Sequence, residues 1–159
     1  MKRPSSNTLV GIAGEYFVCA EICMRGFLAL LTPKNNPLFD IVATSIDGSH
    51  SVSIQVKTRS VINKQGWKFG TDITESDNRD DLFVILVDLH ENKLPDYYIY
   101  EFNNLSKKVQ AVYNNYIQTP RRNGDPRKEV RFRWLPASKN DQDHMKKMNN
   151  WTPITNNLQ

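Results

Sequence analysis

Residues 38–58 read LFDIVATSIDGSHSVSIQVKT and contain two short apolar runs on either side of an Asp-Gly pair at 47–48. An Asp-Gly pair between such runs is a strong signal for a tight β-hairpin turn. We therefore predict two strands, over residues 39–46 and 51–58. In the second strand, apolar and polar residues alternate, so one face of the hairpin is expected to be buried.

The length of the loop decides which side chains share the polar face of this hairpin. With a two-residue turn, paired positions sum to 95, and Asp40 lies directly opposite Gln55 with Lys57 as its diagonal neighbour. A four-residue loop shifts the sum to 97 and places Asp40 opposite Lys57, with Gln55 diagonal. A three-residue loop would move Asp40 to the other face and separate the three side chains.

A carboxylate, an amide oxygen and an ammonium group that cluster on one strand pair are compatible with two roles. One is an ordinary Asp–Lys ion pair on a sheet surface. The other is metal-dependent phosphodiester hydrolysis, because Mg²⁺ prefers oxygen ligands and keeps several waters. In that case Asp40, the Gln55 side-chain oxygen and the Val56 carbonyl would be metal ligands. Lys57 would orient the attacking water or stabilise charge on the phosphate.

The segment before the hairpin predicts a helix with one buried face. Asn7 or Thr8 can cap it, and Gly26 marks its end. Glu15 lies near the edge of the apolar stripe, and Gly14 beside it would let the helix approach the sheet closely. The apolar positions follow i, i+3/i+4 spacing and are Leu9, Ile12, Ala13, Tyr16, Phe17, Ala20 and Cys23.

The rest of the chain predicts a mixed α/β domain. Residues 82–89 are almost entirely apolar and indicate a buried central strand, and residues 97–102 indicate the next strand. An amphipathic helix follows, with Leu105 and Val109 on its apolar side. We expect a single domain over residues 8–150, with terminal tails at residues 1–7 and 151–159.

Composition excludes several other classes of protein. The longest uninterrupted apolar run is Leu82–Val87, six residues, against the ~20 that a membrane-spanning helix needs. No apolar signal-peptide region precedes Leu9, so a soluble cytoplasmic protein is expected. Cys19 and Cys23 have no partners to complete a metal site and are interpreted as small apolar residues of the core.

Charge is distributed unevenly along the sequence. Residues 107–147 hold 11 basic and 4 acidic residues, whereas the remainder holds 10 basic and 13 acidic residues. A basic region beside a mildly acidic one suits a polyanion such as DNA, although a solvated surface would give the same count. In the first interpretation, the candidate phosphate contacts are Arg121, Arg122, Arg131, Arg133, Lys64 and Lys68.

Two short motifs carry a resemblance to a known group of enzymes. Phe39-Asp40-Ile41, followed by Ile54-Gln55-Val56-Lys57, resembles the PD-(D/E)XK nuclease superfamily in its QxK form. Gly11-x-x-Gly14-Glu15 resembles the helix that carries an acidic residue in Holliday junction resolvase-like and Mrr-like nucleases. The resemblance covers about residues 8–102 and implies a restriction-endonuclease-like fold, with helices flanking a central mixed sheet.

The resemblance also implies an activity and a set of site residues. The chain would be a Mg²⁺-dependent DNA endonuclease, with Mn²⁺ as a substitute, and it could act as a homodimer. Asp40, Gln55 and Lys57 would be catalytic, and Glu15 would be a further metal ligand, directly or through water.

Two positions depart from the usual pattern of that superfamily. Leu38-Phe39 precedes Asp40 where Pro-x is common, and Gln55 replaces the second acid. The amide removes one negative charge and should weaken Mg²⁺ binding. A catalytically reduced module of the same fold, which binds nucleic acid or a protein partner, is therefore the alternative function. A structural domain without a nucleic-acid role is the third, and the basic segment argues against it.

Overall fold

The computed structural model describes residues 7–33, 36, 38–75 and 79–159. Five strands form a mixed sheet whose spatial order is β1 (Leu28–Leu31), β2 (Ile41–Thr44), β3 (Ser51–Arg59), β5 (Leu82–Asp88) and β6 (Asp96–Glu101). β3 and β5 run parallel, and the other neighbours are antiparallel. Strands β4 (Gly66–Phe69) and β7 (Arg133–Pro136) form a second, antiparallel sheet. The helices are α1 (Asn7–Met24), α2 (Asp72–Glu75), α3 (Phe102–Gln118), α4 (Gln142–Lys146) and α5 (Thr152–Asn157).

Each face of the large sheet is covered by its own apolar layer. Helices α1 and α5 pack on the face that presents Ile54 and Ile85, and α3 packs with the β4–β7 sheet on the face that presents Val84 and Leu86. All seven residues of β5 are buried. The prediction of a central strand is therefore confirmed, because a strand covered on both faces needs a continuous apolar run. The expected mixed α/β fold, with helices around a central mixed sheet, is confirmed as well.

The hairpin adopts the register in which paired positions sum to 95. Ile41 pairs with Ile54 and Thr44 pairs with Ser51, and the Asp40 amide donates to the Ile54 carbonyl at 2.9 Å. Gly48 has a φ of +75° in the turn, a conformation that glycine adopts at no steric cost. Of the alternatives, the register of the two-residue turn therefore holds for residues 41–44, where β2 ends, and Asp40 lies just before the paired residues.

The buried face of α1 is not the one that the sequence predicts. Val10, Gly14, Val18 and Ile22 are buried against the sheet, whereas the predicted stripe faces outward and Tyr16 is 61% exposed. Both sides of this helix are apolar, so the periodicity could not decide between them. The close approach expected at Gly14 does occur, since a Cβ on Gly14 would lie 1.9 Å from Thr58 Oγ1.

The C-terminus also differs from expectation. The sequence predicts a tail over residues 151–159, but these residues include α5, which packs on the core together with Trp151, Ile154 and Leu158. The Arg25 guanidinium lies over the Trp151 ring at 4.5 Å. At the other end, residues 1–6 of the predicted tail lie outside the described residues, and Asn7 already begins α1. No helix among the residues described is both long and apolar enough to span a membrane.

Candidate active site

Asp40 lies at a break in the sheet. β2 begins at Ile41, whereas β3 continues to Arg59, so the last residues of β3 pair with no described strand on the β2 side. The Asp40 Oδ2 atom accepts a hydrogen bond from the Val56 amide at 2.7 Å. Strand amides point along the sheet towards the neighbouring strand. The carboxylate therefore lies at the end of the sheet, between its two faces, where the next residues of β2 would otherwise be.

The Val56 carbonyl is directed to the same place. Within a strand, the N–H and C=O groups of one residue point towards the same neighbouring strand in an antiparallel pair. Because the Val56 amide donates to Asp40, its carbonyl also faces the break in the sheet. The backbone oxygen predicted as a ligand is thus oriented towards the Asp40 carboxylate.

A cleft of about 320 Å³ connects Asp40 with the N-terminal half of α1. Glu15 lines this cleft from α1 and is half-buried. Thr32 also lines the cleft. Its Oγ1 donates to the Phe39 carbonyl at 2.9 Å and so links the residues after β1 to the segment that carries Asp40. The described lining residues are Asn7, Thr8, Gly11, Ile12, Glu15, Thr32, Pro33, Asn36 and Asp40.

Gln55 and Lys57 are not among the described residues that line this cleft. Both are half-buried and alternate along β3 with the apolar residues that face α1. Asp40 itself precedes the paired residues of β2, and its backbone amide donates to Ile54 while its carboxylate accepts from the Val56 amide. The structure thus brings Asp40 and Glu15 into the lining of one cleft, whereas Gln55 and Lys57 lie on the face of β3 opposite α1.

The oxygen donors at the break fit a hard divalent cation. Asp40 and Glu15 contribute carboxylates, and Val56 contributes a carbonyl directed to the same place. Mg²⁺ is ordinarily held by one or two carboxylates and keeps several waters, for which the open cleft has room. The residue types therefore suit a hard divalent cation, and the fit rests on the Asp40–Val56 contact.

Most of the predicted phosphate contacts lie on the surface. Lys68 lies on β4, and its Nζ is 4.6 Å from the centre of the Phe132 ring. This ammonium group therefore lies beside the basic loop that precedes β7. The exposed residues of the predicted set are Lys64, Lys68, Arg121, Arg122 and Arg131.

Arg133 differs from the other predicted contacts because it is buried. Its guanidinium stacks on Tyr113 at 3.7 Å and donates to Thr74 Oγ1 at 3.2 Å and to the Val130 carbonyl at 3.1 Å. Arg133 faces inward on β7, whereas its neighbour Phe132 is exposed. Tyr113 and the backbone carbonyls satisfy the buried charge. The guanidinium thus already has hydrogen-bond and stacking partners within the protein.

A second cavity, of about 790 Å³, contains a group that the sequence analysis missed. Ligand atoms of Asp88, His90 and Asp96 lie within 4.8 Å of one another, close enough to bind a metal ion together. However, Asp88 is paired with Arg59, and Asp96 accepts hydrogen bonds from His90 at 2.7 Å and Lys93 at 2.9 Å. These partners already neutralise the carboxylates. The strand register could have indicated this cluster, because Asp88 pairs with Arg59 of β3 on one side and with Asp96 of β6 on the other.

His144 lines the same cavity and is buried. It is 2% exposed, stacks on Tyr98 with ring centres 4.0 Å apart, and forms a 2.7 Å hydrogen bond through Nδ1 with the Tyr100 hydroxyl. Burial lowers the pKa of His144 to about 4. The imidazole is therefore neutral at physiological pH and acts as part of the core.

Comparison with known proteins gives one informative similarity. No protein-family model matches the chain, and no curated protein does. Among solved structures, the chain is similar to a bacterial homing endonuclease, I-Ssp6803I, with a TM-score of 0.53 and 13% sequence identity. The match covers 95% of this chain and 93% of that one. The chain therefore shares its fold, over nearly its whole length, with a homing endonuclease.

Proposed function

We propose that this protein is a Mg²⁺-dependent nuclease that hydrolyses phosphodiester bonds in DNA, of the PD-(D/E)XK type. The observation that carries the proposal is the Asp40 carboxylate at the break in the sheet, bonded to the Val56 amide and sharing a cleft with Glu15. The fold similarity to a homing endonuclease supports it independently. The exposed basic residues of the C-terminal third supply a surface for DNA.

Each site residue has a distinct task in this proposal. Asp40, Glu15, the Gln55 side-chain oxygen and the Val56 carbonyl would hold the metal ion. A bound Mg²⁺ would polarise the scissile phosphate and lower the pKa of an attacking water. Lys57 would place its ammonium group against the phosphate oxygen where charge develops. The Val56 amide orients Asp40, because its hydrogen bond fixes one carboxylate oxygen and leaves the other towards the cleft.

The direct test is cleavage of plasmid and branched DNA with Mg²⁺ or Mn²⁺. We expect Lys57→Ala and Asp40→Asn each to reduce the rate at least ~100-fold, the scale measured when one charge-stabilising group is removed. Asn at position 40 can still accept from the Val56 amide, so thermal stability should change little. Lys93→Ala removes an exposed lysine outside the cleft and is the matched control. Equal cleavage by wild type and Asp40→Asn would refute the proposal.

The alternative is a nuclease-fold module that binds DNA or a protein without cleaving, and the neutral Gln55 favours it. Mn²⁺ titration of Gln55→Glu distinguishes the two functions. A unit charge ~4 Å from a divalent ion contributes ~2 kcal/mol even at the dielectric constant of water, or about 30-fold in affinity. A metal site at Asp40 predicts this gain, and Asp40→Asn should abolish it. If neither variant changes Mn²⁺ binding, the binding module replaces the nuclease.

A further inference from the structure

Two exposed aromatic rings outside the proposed active site each carry a basic side chain. Lys68 Nζ lies 4.6 Å from the centre of the Phe132 ring, and the Arg127 guanidinium lies 4.5 Å from the centre of the Tyr116 ring. Phe132 is 37% and Tyr116 36% exposed. Each pair therefore presents an aromatic ring and a positive charge to solvent together. We call these four residues the aromatic–basic row.

The two pairs of the row are connected beneath the surface. Arg133 follows Phe132 in the chain and lies over the Tyr113 ring at 3.7 Å. The Tyr113 ring stacks in turn on the Tyr116 ring, with ring centres 6.3 Å apart. Because this stack ties the start of β7 to α3, the two exposed rings are held at a fixed spacing.

One end of the row shares an apolar cluster with the residue before Asp40. Lys68 faces outward on β4, between Trp67 and Phe69, which are both buried. These two rings belong to the cluster on which Phe39 packs, and Phe39 directly precedes Asp40 in the chain. A DNA strand bound at Asp40 can therefore continue onto the row.

Aromatic rings that alternate with positive charges suit a nucleic acid strand whose bases are unpaired. An unpaired base offers a π-face that stacks on an aromatic side chain, while its phosphate binds a neighbouring cation. In a duplex these faces are already stacked on one another, and the grooves are contacted mainly through hydrogen bonds to base edges. Arg131, which is exposed beside Phe132, adds further positive charge for the phosphates.

We propose that the aromatic–basic row binds an unpaired segment of the DNA substrate, with bases on Phe132 and Tyr116 and phosphates at Lys68 and Arg127. The inference rests on the proposed function, since the Asp40 site would cut the strand that the row holds. The substrate class is then DNA with a single-stranded stretch beside the scissile bond, rather than a continuous duplex. Because every base can stack, binding should tolerate changes of sequence.

Fluorescence anisotropy in the absence of divalent metal measures binding separately from cleavage. The probes are an oligothymidine strand of about 20 nucleotides and a duplex of the same length. The wild type should bind the single strand at least ~10-fold more tightly than the duplex, because only the single strand offers two bases for stacking. Phe132→Ala and Tyr116→Ala should each weaken single-strand binding at least ~5-fold, the lower end for the loss of one stacked base, and leave duplex binding unchanged.

Tyr16→Ala is the matched control, since Tyr16 is an exposed aromatic residue on α1, outside the row. It should change the affinity for neither probe. Equal wild-type affinity for the two probes would overturn the proposal. An equal loss of single-strand binding in Tyr16→Ala and Phe132→Ala would overturn it too.

A tryptophan at position 132 tests the stacking even if the alanine variants fold poorly. Phe132→Trp keeps an aromatic ring, and its added emission relative to wild type should fall when the single strand binds, because stacked bases quench indole fluorescence. The duplex should leave this emission unchanged, and quenching by neither probe would contradict stacking at this position. If Asp40→Asn abolishes cleavage while position 132 is not quenched, this proposal fails and the nuclease proposal stands. Quenching together with full cleavage by Asp40→Asn would mean the reverse.

Discussion

Replacement of Gly14 by alanine tests how α1 is held against the sheet. The added Cβ would lie 1.9 Å from Thr58 Oγ1 and 2.9 Å from Thr58 Cβ. Rotation of the threonine side chain moves Oγ1 but not Cβ, so the clash cannot be relieved by rotation alone. Restoring an ordinary contact of 3.4 Å requires a shift of about 1.5 Å between α1 and β3 if Oγ1 stays in place, and still about 0.5 Å from Cβ if it rotates away.

The energetic effect is the difference between two opposing contributions. Alanine favours a helix interior by ~1 kcal/mol over glycine, and overpacking a buried contact costs ~1–3 kcal/mol or more. We expect Gly14→Ala to lower the free energy of unfolding by ~1–2 kcal/mol, which lowers Tm by ~3–6 °C for a domain of this size. Because Glu15 follows directly, the displacement should also lower nuclease activity, by ~100-fold for a 1 Å misplacement.

Gly11 provides the matched control on the same helix. A Cβ on Gly11 has nothing within 4 Å, so Gly11→Ala should raise the free energy of unfolding by ~0.5–1 kcal/mol. Thermal melts of both variants followed by circular dichroism measure the difference. Thr58→Ala combined with Gly14→Ala should recover part of the loss, because it removes the two outer atoms of the threonine. If Gly14→Ala is as stable as Gly11→Ala, α1 does not pack on Thr58 as described.

Two further predictions concern pH and salt. The pKa of His144 is lowered from 6.5 to about 4, so the unfolded chain takes up a proton first as the pH falls. The contribution of His144 to the free energy of unfolding should thus be fully present above pH 6.5 and fall by roughly 2–3 kcal/mol towards pH 4. In urea unfolding, the His144→Asn variant, whose side chain can still bond to Tyr100, should lose this pH dependence. The His50→Asn variant should keep it. DNA affinity should fall with salt, by a log–log slope of ~0.9 per phosphate contacted, and Arg121→Ala and Arg131→Ala should each flatten it. Arg133→Ala should instead lower Tm and leave the slope unchanged, and the opposite result would place Arg133 on the DNA surface.

The sheet could be predicted because its signals are local. The Asp47-Gly48 turn and the alternation in residues 51–58 determine which face of the hairpin is buried, and a shift by one residue would have exposed Ile54. For α1, the stripe predicted to be buried is the exposed one. Val10 and Leu9 each begin an apolar stripe, and the sequence alone gives no reason to bury one stripe rather than the other. α5 was missed because six residues rarely form a helix without tertiary contacts, and its contacts come from a core formed elsewhere in the chain.

Site residues divide in the same way. The position of Asp40 beside β3 follows from the hairpin, whereas the position of Glu15 depends on how α1 docks, for which the sequence offered only the resemblance. Arg133 was misassigned because charge alone indicates a surface position, and its neighbour Tyr113 is twenty residues away. The Asp88 and His144 cavity joins segments that are far apart along the chain.

α1 carries both a close contact with the sheet and one wall of the proposed active site. Gly14 lets the helix lie directly against Thr58 of β3, and the next residue, Glu15, lines the Asp40 cleft. The depth at which α1 packs on β3 therefore determines how far the Glu15 carboxylate lies from Asp40. A side chain larger than that of glycine at position 14 would change this distance without altering any residue of the proposed metal site.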